Sequence, residues 1–158
     1  MILKVGYTKF INLQNGILGY WPFCGNANDT SGNGNNGIVT GANLTSDRFG
    51  NINSAYSFDG IDDSINLGNL PININQNNNY TISFYVKTNS NSNGSVISKY
   101  RNGYPDLSEF FIGINKIQSR FNYGGDGTSS FQNCPYNSNL WDNFTILYSG
   151  ASAQVYKN

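Results

Sequence analysis

The feature that most constrains this fold is a series of short β-branched and aromatic runs separated by Gly, Asn, Ser and Pro. Residues 80–88, YTISFYVKT, show it best, because Ile82, Phe84 and Val86 alternate with polar neighbours. An alternation of period two places successive side chains on opposite faces of a β-strand. We therefore predict that residues 80–88 form a central strand.

Comparable runs recur along the chain and no helical period is evident, a pattern typical of an all-β sandwich or barrel. The hairpin signal SGAS at residues 149–152 and a two-residue turn at Asn115 and Lys116 predict antiparallel pairing. A length of 158 residues fits one domain, residues 1–158. The other predicted strands are residues 17–23, 37–44, 54–60, 64–68, 95–100, 109–115, 117–124, 143–150 and 153–158, with an additional N-terminal strand within residues 1–15.

The charge balance narrows the classes of partner. Nine basic and nine acidic residues give a formal net charge of zero, so no long-range field attracts nucleic acid. No apolar run approaches the roughly 20 residues of a membrane span, so membrane insertion is not expected. A surface rich in neutral Asn suits an external environment or contact with sugars. An AT-rich genome would produce the same bias, and both interpretations stay open.

Two stretches carry a resemblance to a known family. They are GILGYWPFCGNANDTSGNGNNG at residues 16–37 and RFGNINSAYSFDGIDDSI at residues 48–65. Residues 16–68 as a whole resemble the opening half of bacterial laminin G-like domains of the concanavalin A-like superfamily. The resemblance implies a two-sheet antiparallel jelly-roll sandwich.

The same resemblance implies a non-catalytic, lectin-like carbohydrate-binding module of an extracellular or cell-surface bacterial protein. The alternative is a structural or adhesive protein–protein interaction module, including a decoration or fibre protein on a virion surface. The expected partner is accordingly a glycan or another protein.

The resemblance weakens toward the C-terminus. Asp142 stands where the family usually has His, and family members continue for a few strands beyond the position of Asn158. We expect either a domain that lacks its last strands or one in which residues 2–13 fill part of the missing edge. An open edge exposes backbone groups, so pairing with a strand of another chain is also expected.

The Gly- and Asn-rich segment at residues 25–37 has two interpretations. Gly and Asn tolerate positive φ, so the loop can wrap around a small ion and present the oxygens that Ca²⁺ prefers. The alternative is an Asx-type turn at Asp29 that caps backbone N–H groups. Five of the nine acidic residues lie between Asp29 and Asp63, and their mutual repulsion would be costly unless a cation or Arg48 compensates it, which favours a metal. The candidate calcium ligands are Asn26, Asn28 and Asp29, with Asp62 or Asp63 as partners from the neighbouring segment.

Catalysis is not expected. The chain has no His, which excludes Ser–His and Cys–His nucleophiles. Glu109 is the only Glu, and the adjacent Asp62 and Asp63 would face opposite ways on a strand, so no carboxylate pair suited to glycoside hydrolysis is evident.

A second candidate site for sugars consists of aromatic and polar residues in two loops. Trp141 could add to it, although Trp141 and Trp21 are both expected to be core residues. The candidate ligand-binding residues are Tyr100, Arg101, Asn102, Tyr104, Asp106, Asp126 and Tyr136.

The two cysteines, Cys24 and Cys134, are far apart and form no CxxC pair, which argues against structural zinc. A disulfide between them and a pair of unbonded thiols are both consistent with the sequence.

Overall fold

The computed structural model describes residues 16–68, 70, 79–88, 94–99, 108–113, 116–121, 139–149 and 152–157. These residues contain ten β-strands and no helix, and every paired strand is antiparallel. The predicted all-β class is confirmed. The predicted N-terminal strand within residues 1–15 lies outside the described residues.

The part of the chain that the structure describes contains no helix long and apolar enough to cross a membrane.

The chain divides into two compact units, Met1–Pro71 and Ile72–Asn158. The first unit has two short antiparallel pairs, β1 with β4 and β2 with β3. In its described part, the buried residues are Ala27 and Ala55, both small. Side chains of this size bury little apolar area, so hydrogen bonds must carry much of the local order. The strands are β1 (Ile38–Thr40), β2 (Asn43–Thr45), β3 (Ala55–Ser57) and β4 (Ser64–Asn66).

The second unit contains two three-stranded sheets with the orders β10-β9-β5 and β6-β7-β8. The register of β6 against β7 shifts between Ser95 and Ile97, which marks a bulge or irregularity. The strands are β5 (Asn79–Lys87), β6 (Gly94–Lys99), β7 (Ser108–Gly113), β8 (Lys116–Phe121), β9 (Trp141–Ser149) and β10 (Ser152–Lys157).

The core of the second unit lies on one face of β9. Phe144 and Ile146 are fully buried and Tyr148 is nearly so. The Tyr148 ring stacks on Tyr80 with centroids 4.1 Å apart, and burial raises the pKa of the Tyr148 hydroxyl to about 12. Six partly buried residues from β5, β6 and β10 pack against this cluster: Tyr80, Ile82, Phe84, Val86, Ile97 and Val155.

A charged residue shares this buried face. Asp142 precedes Phe144 by two positions on β9 and is also buried, with 6% of its surface exposed. Its Oδ1 lies 3.1 Å from Nζ of Lys157 on β10. A buried carboxylate is costly unless it is paired, and Lys157 compensates the charge of Asp142.

Most predicted strands are present, with three corrections. The structure has no strand at residues 17–23, so that prediction is wrong. Residues 37–44 form two strands, β1 and β2, because Gly41 takes a φ of 77° between them. In the described sheet, β5 pairs with β9 alone and β9 is central. The alternation of apolar and polar residues indicates that one face of a strand is buried, but it does not indicate how many neighbouring strands it pairs with.

The two predicted turns have different outcomes. Ser149 pairs with Ser152, which confirms the hairpin between β9 and β10. Gly113 pairs with Lys116, so the connection of β7 to β8 consists of residues 114 and 115 and lies one residue earlier than predicted.

Replacing Ile146 by Ala should lower the free energy of unfolding by about 2–5 kcal/mol, because the side chain is fully buried and leaves a cavity. Urea denaturation measures this loss. The matched control is Leu147→Ala at the next position, where 37% of the side chain is exposed and the loss should be clearly smaller. Equal losses would contradict the assignment of the buried face.

Candidate metal centre

The Gly- and Asn-rich loop is organised around the carboxylate of Asp29. Its Oδ1 accepts hydrogen bonds from the backbone N–H groups of Tyr20 at 2.9 Å and Ser31 at 2.8 Å. Its Oδ2 accepts from the Ser31 hydroxyl at 2.9 Å and from the Asn35 N–H at 3.0 Å. A carboxylate offers about four lone-pair sites, so these donors saturate it. The Asx-type turn considered from the sequence is therefore present.

These hydrogen bonds lower the pKa of Asp29. Loss of solvent around the carboxylate is the largest single influence and raises its pKa, but the bonds from Tyr20, Ser31 and Asn35 together outweigh it. The pKa of Asp29 accordingly lies well below its ordinary value of 3.8. The ionised side chain is the form that holds the loop together.

Two asparagines of the loop bond to the segment for which a strand was predicted. The Asn33 side-chain amide donates to the Ile17 carbonyl at 2.8 Å, and the Asn35 amide donates to the Leu18 carbonyl at 2.8 Å. Side chains of the loop therefore satisfy backbone groups that a neighbouring strand would otherwise pair. This explains in part why residues 17–23 form no strand.

The end of the same segment also disfavours a strand. Pro22 has no N–H to donate to a ladder. Phe23 takes a φ of 57°, in the left-handed region that bulky residues seldom occupy. Its ring makes an edge contact with Tyr56, with centroids 5.3 Å apart.

A second aspartate organises the next loop in the same way. Asp47 Oδ1 accepts from the N–H groups of Phe49 at 2.8 Å and Asn51 at 2.9 Å, and Oδ2 accepts from the Asn51 amide at 2.9 Å. The bond from the Asn51 side chain contributes most to lowering the pKa of Asp47. The guanidinium of Arg48 lies 4.2 Å from the centroid of the Phe49 ring. Asp47 is thus also a structural carboxylate.

A third acidic group is arranged differently. Asp59, Asp62 and Asp63 each contribute one carboxylate oxygen to a cluster in which these oxygens lie within 4.8 Å of one another. Asp59 and Asp62 are exposed and Asp63 is half-buried. We call these three residues the aspartate cluster. No ion pair joins them to a cation among the described residues.

Local hydrogen bonds hold the aspartate cluster but leave oxygens available. Asp59 Oδ1 accepts from the Ile61 N–H at 2.8 Å, and Asp63 Oδ2 accepts from the Asp59 N–H at 2.9 Å. Within the described chain, Asp62 accepts no hydrogen bond. Asp59 Oδ2, Asp63 Oδ1 and both Asp62 oxygens therefore accept no hydrogen bond from the described residues. Carboxylate oxygens in such a group suit a hard cation such as Ca²⁺.

Gly41 is needed beside the aspartate cluster for two reasons. Its φ of 77° lies in the left-handed region. In addition, a Cβ at this position would collide with Asp63 Oδ1. Only Gly satisfies both conditions here, so the connection of β1 to β2 helps to set the position of the Asp63 carboxylate.

The structure brings together only part of the predicted calcium set. Asp62 and Asp63 lie in the aspartate cluster, and Asp29 does not. Asn26 is in a turn of its own, in which its Oδ1 accepts from the Asn28 N–H at 2.8 Å. Asp59 was missed as a candidate ligand. The signal was the spacing of FDGIDD, because the turn at Gly60, whose φ is 80°, leaves the Asp59 N–H 2.9 Å from Asp63 Oδ2.

Of the other predicted site residues, only Cys24 lies among the described residues. Cys24 is an exposed free thiol whose Sγ donates to the Pro22 carbonyl at 3.7 Å. Its proposed partner Cys134 lies outside the described residues, so the disulfide, which would require oxidation of the Cys24 thiol, stays a prediction. The same holds for all candidate sugar-binding loop residues: Tyr100, Arg101, Asn102, Tyr104, Asp106, Asp126 and Tyr136.

Replacing Asp29 by Asn should lower the melting temperature of the chain by roughly 5 °C at pH 7. The reason is that the amide presents an N–H₂ group toward the donors of Ser31 and Asn35. A carboxyl group with a lowered folded-state pKa contributes stability above its unfolded pKa and loses it as the pH falls. The difference between wild type and variant should therefore be constant above about pH 4 and shrink below the ordinary value of 3.8.

Thermal melts of both proteins from pH 7 to pH 2 measure this difference. Asp62→Asn is the control, because its carboxylate accepts no hydrogen bond in the described structure and its loss should leave the melting temperature nearly unchanged. A difference for Asp29→Asn that persisted unchanged at pH 2 would contradict the role of the ionised carboxylate.

Comparison with protein-family models, with curated proteins and with solved structures finds no match to this chain.

Proposed function

We propose that the chain is a non-catalytic carbohydrate-binding module of an extracellular or cell-surface bacterial protein, and that it binds its glycan with the help of Ca²⁺ at the aspartate cluster. We further propose that its all-β architecture is a concanavalin A-like jelly-roll sandwich. The observation that carries the functional proposal is the approach of Asp59, Asp62 and Asp63 to within 4.8 Å without a compensating cation among the described residues.

The dimensions of the aspartate cluster support calcium. Ca²⁺ binds oxygens at about 2.3–2.6 Å, so two of its ligands are at most about 5 Å apart. A spread of 4.8 Å is within that limit. Four oxygens of the aspartate cluster accept no hydrogen bond from the described residues, which is fewer than the six to eight oxygens that Ca²⁺ takes. The remaining positions would accept water, backbone carbonyls or adjacent hydroxyls of a sugar, which gives the ion a direct role in glycan binding.

The composition of the chain also supports a neutral, hydroxyl-rich ligand. Only 11% of the residues are charged and the formal net charge is zero. Asparagine amides donate and accept hydrogen bonds at once, as sugar hydroxyls do. The location outside the cell is proposed on the same basis and on the resemblance to laminin G-like domains.

A second candidate function is a structural or adhesive protein–protein interaction, including one on a virion surface. The observation in its favour is the exposure of large apolar side chains in loops of the first unit. Ile61 is 86% exposed, Ile52 78% and Phe49 71%. Exposed apolar groups of this size are typical of surfaces that contact other proteins.

Calcium at a 100-fold excess over its Kd should stabilise the wild-type chain by about 2.7 kcal/mol, because it binds the folded form. Replacing Asp62 by Asn should abolish most of this gain and leave the stability of the calcium-free protein unchanged. Thermal melts with calcium and with EGTA measure both quantities. Mg²⁺ is the control ion, since its demand for near-octahedral geometry makes it a poor substitute. Equal stabilisation of wild type and variant by calcium would contradict the proposed ligands.

A glycan array probed with and without EGTA distinguishes the two candidate functions. We expect glycan signals that EGTA removes and that are absent in Asp62→Asn. The absence of any glycan signal in calcium and in EGTA would exclude the carbohydrate-binding function and leave the protein–protein function.

A further inference from the structure

The Gly- and Asn-rich loop contains two Asn–Gly steps, Asn33–Gly34 and Asn36–Gly37. Asparagine is a chemically labile residue, and a following glycine increases the lability. The reason is that the glycine nitrogen can attack the side-chain carbonyl carbon of the asparagine when no Cβ obstructs the approach. Asn33, Gly34 and Asn36 are exposed, and Gly37 is half-buried. The same dipeptide thus occurs twice in one loop, in two different surroundings.

The second step, Asn36–Gly37, is held at both of its reacting groups. The Gly37 N–H donates to the Ala27 carbonyl at 2.8 Å, and Asn36 Oδ1 accepts from the Asp29 N–H at 3.0 Å. Gly37 also lies so close to Ile65 that a Cβ would collide with the Ile65 side chain. The nitrogen that would attack is therefore engaged in a hydrogen bond, and packing confines its backbone.

The first step, Asn33–Gly34, leaves its attacking nitrogen available. Among the described residues, the Gly34 N–H donates to no acceptor, and the space beside Gly34 is open. An exposed amide outside any hydrogen bond gives up its proton to water more readily than a bonded one. The Gly34 nitrogen is therefore the better nucleophile of the two.

The Asn33 side chain is bonded through its nitrogen. Nδ2 donates to the carbonyls of Ile17 at 2.8 Å and Leu18 at 3.4 Å, and to the Ser31 hydroxyl at 3.2 Å. These bonds slow cyclisation because they hold the side chain, but they engage neither Cγ nor the attacking nitrogen. They also determine what a modification would do, because the nitrogen that makes them is the atom that leaves.

We propose that Asn33–Gly34 is a site of spontaneous deamidation and that Asn36–Gly37 is protected from it. The Gly34 nitrogen attacks Asn33 Cγ, so that a C–N bond forms and the Cγ–Nδ2 bond breaks. The Gly34 amide proton goes to the departing nitrogen, which leaves as ammonia. Water then opens the five-membered imide at either of its carbonyls and yields aspartate or isoaspartate at position 33. The net change is the gain of one water and the loss of one ammonia.

The aspartate product carries a carboxylate where the loop requires a donor. This carboxylate faces the carbonyl oxygens of Ile17 and Leu18, which repel it and lose their hydrogen bonds. It also lies beside the Ser31 hydroxyl, which bonds Asp29 Oδ2 at 2.9 Å. A second negative charge is thus added next to the Asp29 carboxylate. Deamidation therefore loosens the attachment of residues 17 and 18 to the loop.

Incubation of the folded chain at mildly alkaline pH, followed by tandem mass spectrometry of its peptides, tests this inference. The modification is located by the mass change from NH₂ to OH. We expect deamidation at Asn33 to be at least about fivefold faster than at Asn36, since one backbone hydrogen bond of typical net strength corresponds to about that factor. In urea, which removes the bonds of Gly37, both steps should react at similar rates.

Asn33→Gln should abolish the modification at position 33, because its longer side chain would have to close a six-membered ring, and should leave the rate at Asn36 unchanged. Equal rates at Asn33 and Asn36 in the folded chain, or a faster reaction at Asn36, would overturn the inference. It would also be overturned if Asn33 reacted in urea but not in the folded chain.

The effect on the loop is measured by thermal melts of two matched variants. Asn33→Asp carries the aspartate product and should lower the melting temperature by roughly 3 °C, because a donor is lost and the carbonyls it satisfied are left without it. Asn36→Asp is the control, since Asn36 uses its oxygen as an acceptor and a carboxylate retains that bond. Its melting temperature should be nearly unchanged. Equal losses in the two variants would overturn the proposed effect of deamidation on the loop.

Discussion

The carboxylate of Asp29 is the interaction on which the first unit depends. The described part of this unit buries only two alanines, so apolar burial alone is a weak source of order there. Four donors converge on Asp29, from Tyr20, from the backbone and hydroxyl of Ser31, and from Asn35. The composition of residues 25–37 resembles that of a linker, but these hydrogen bonds make the loop an ordered structural element. Its Asn33 and Asn35 side chains bond backbone carbonyls that a neighbouring strand would otherwise pair.

This arrangement separates the acidic residues of the first unit by role. Asp29 and Asp47 are saturated or nearly so by protein donors, and hydrogen bonds lower the pKa of both. Asp59, Asp62 and Asp63 keep oxygens that no described donor occupies. Residue type and proximity in sequence do not distinguish the two groups, whereas their hydrogen bonds do. The aromatic residues of the second unit also fall into two groups. Those on one face of the sheet β10-β9-β5 are buried or pack against the buried cluster, and those on its other face are partly exposed.

The sequence predicted the strands of the second unit well, because alternation over six or more residues is a direct consequence of a one-sided core. It failed at residues 17–23, where Asn33 and Asn35 occupy carbonyl groups that a strand would pair, and where Pro22 and Phe23 end the extended backbone. It placed β5 at the centre of a sheet whose described centre is β9. Both strands alternate alike, so only pairing distinguishes them.

The candidate site was predicted in part. Asp62 and Asp63 were predicted as ligands from their charge. The approach of Asp59 depends on the turn at Gly60, and the position of Asp63 depends on the lack of a Cβ at Gly41, which are properties of the backbone. Asp29 was offered as a ligand because its loop is rich in oxygen. The structure shows those oxygens bonding to the protein itself. From the sequence alone, an acidic residue in a Gly- and Asn-rich loop could bind a metal or accept hydrogen bonds from the backbone. Only its hydrogen-bond donors in the structure distinguish these two roles.

The most direct test of this division of roles is anomalous difference density from crystals grown with calcium. The account predicts a single strong peak in this region, about 2.3–2.6 Å from oxygens of Asp59, Asp62 and Asp63, and none at Asp29. A peak coordinated by Asp29, or an aspartate cluster without a peak at saturating calcium, would contradict it.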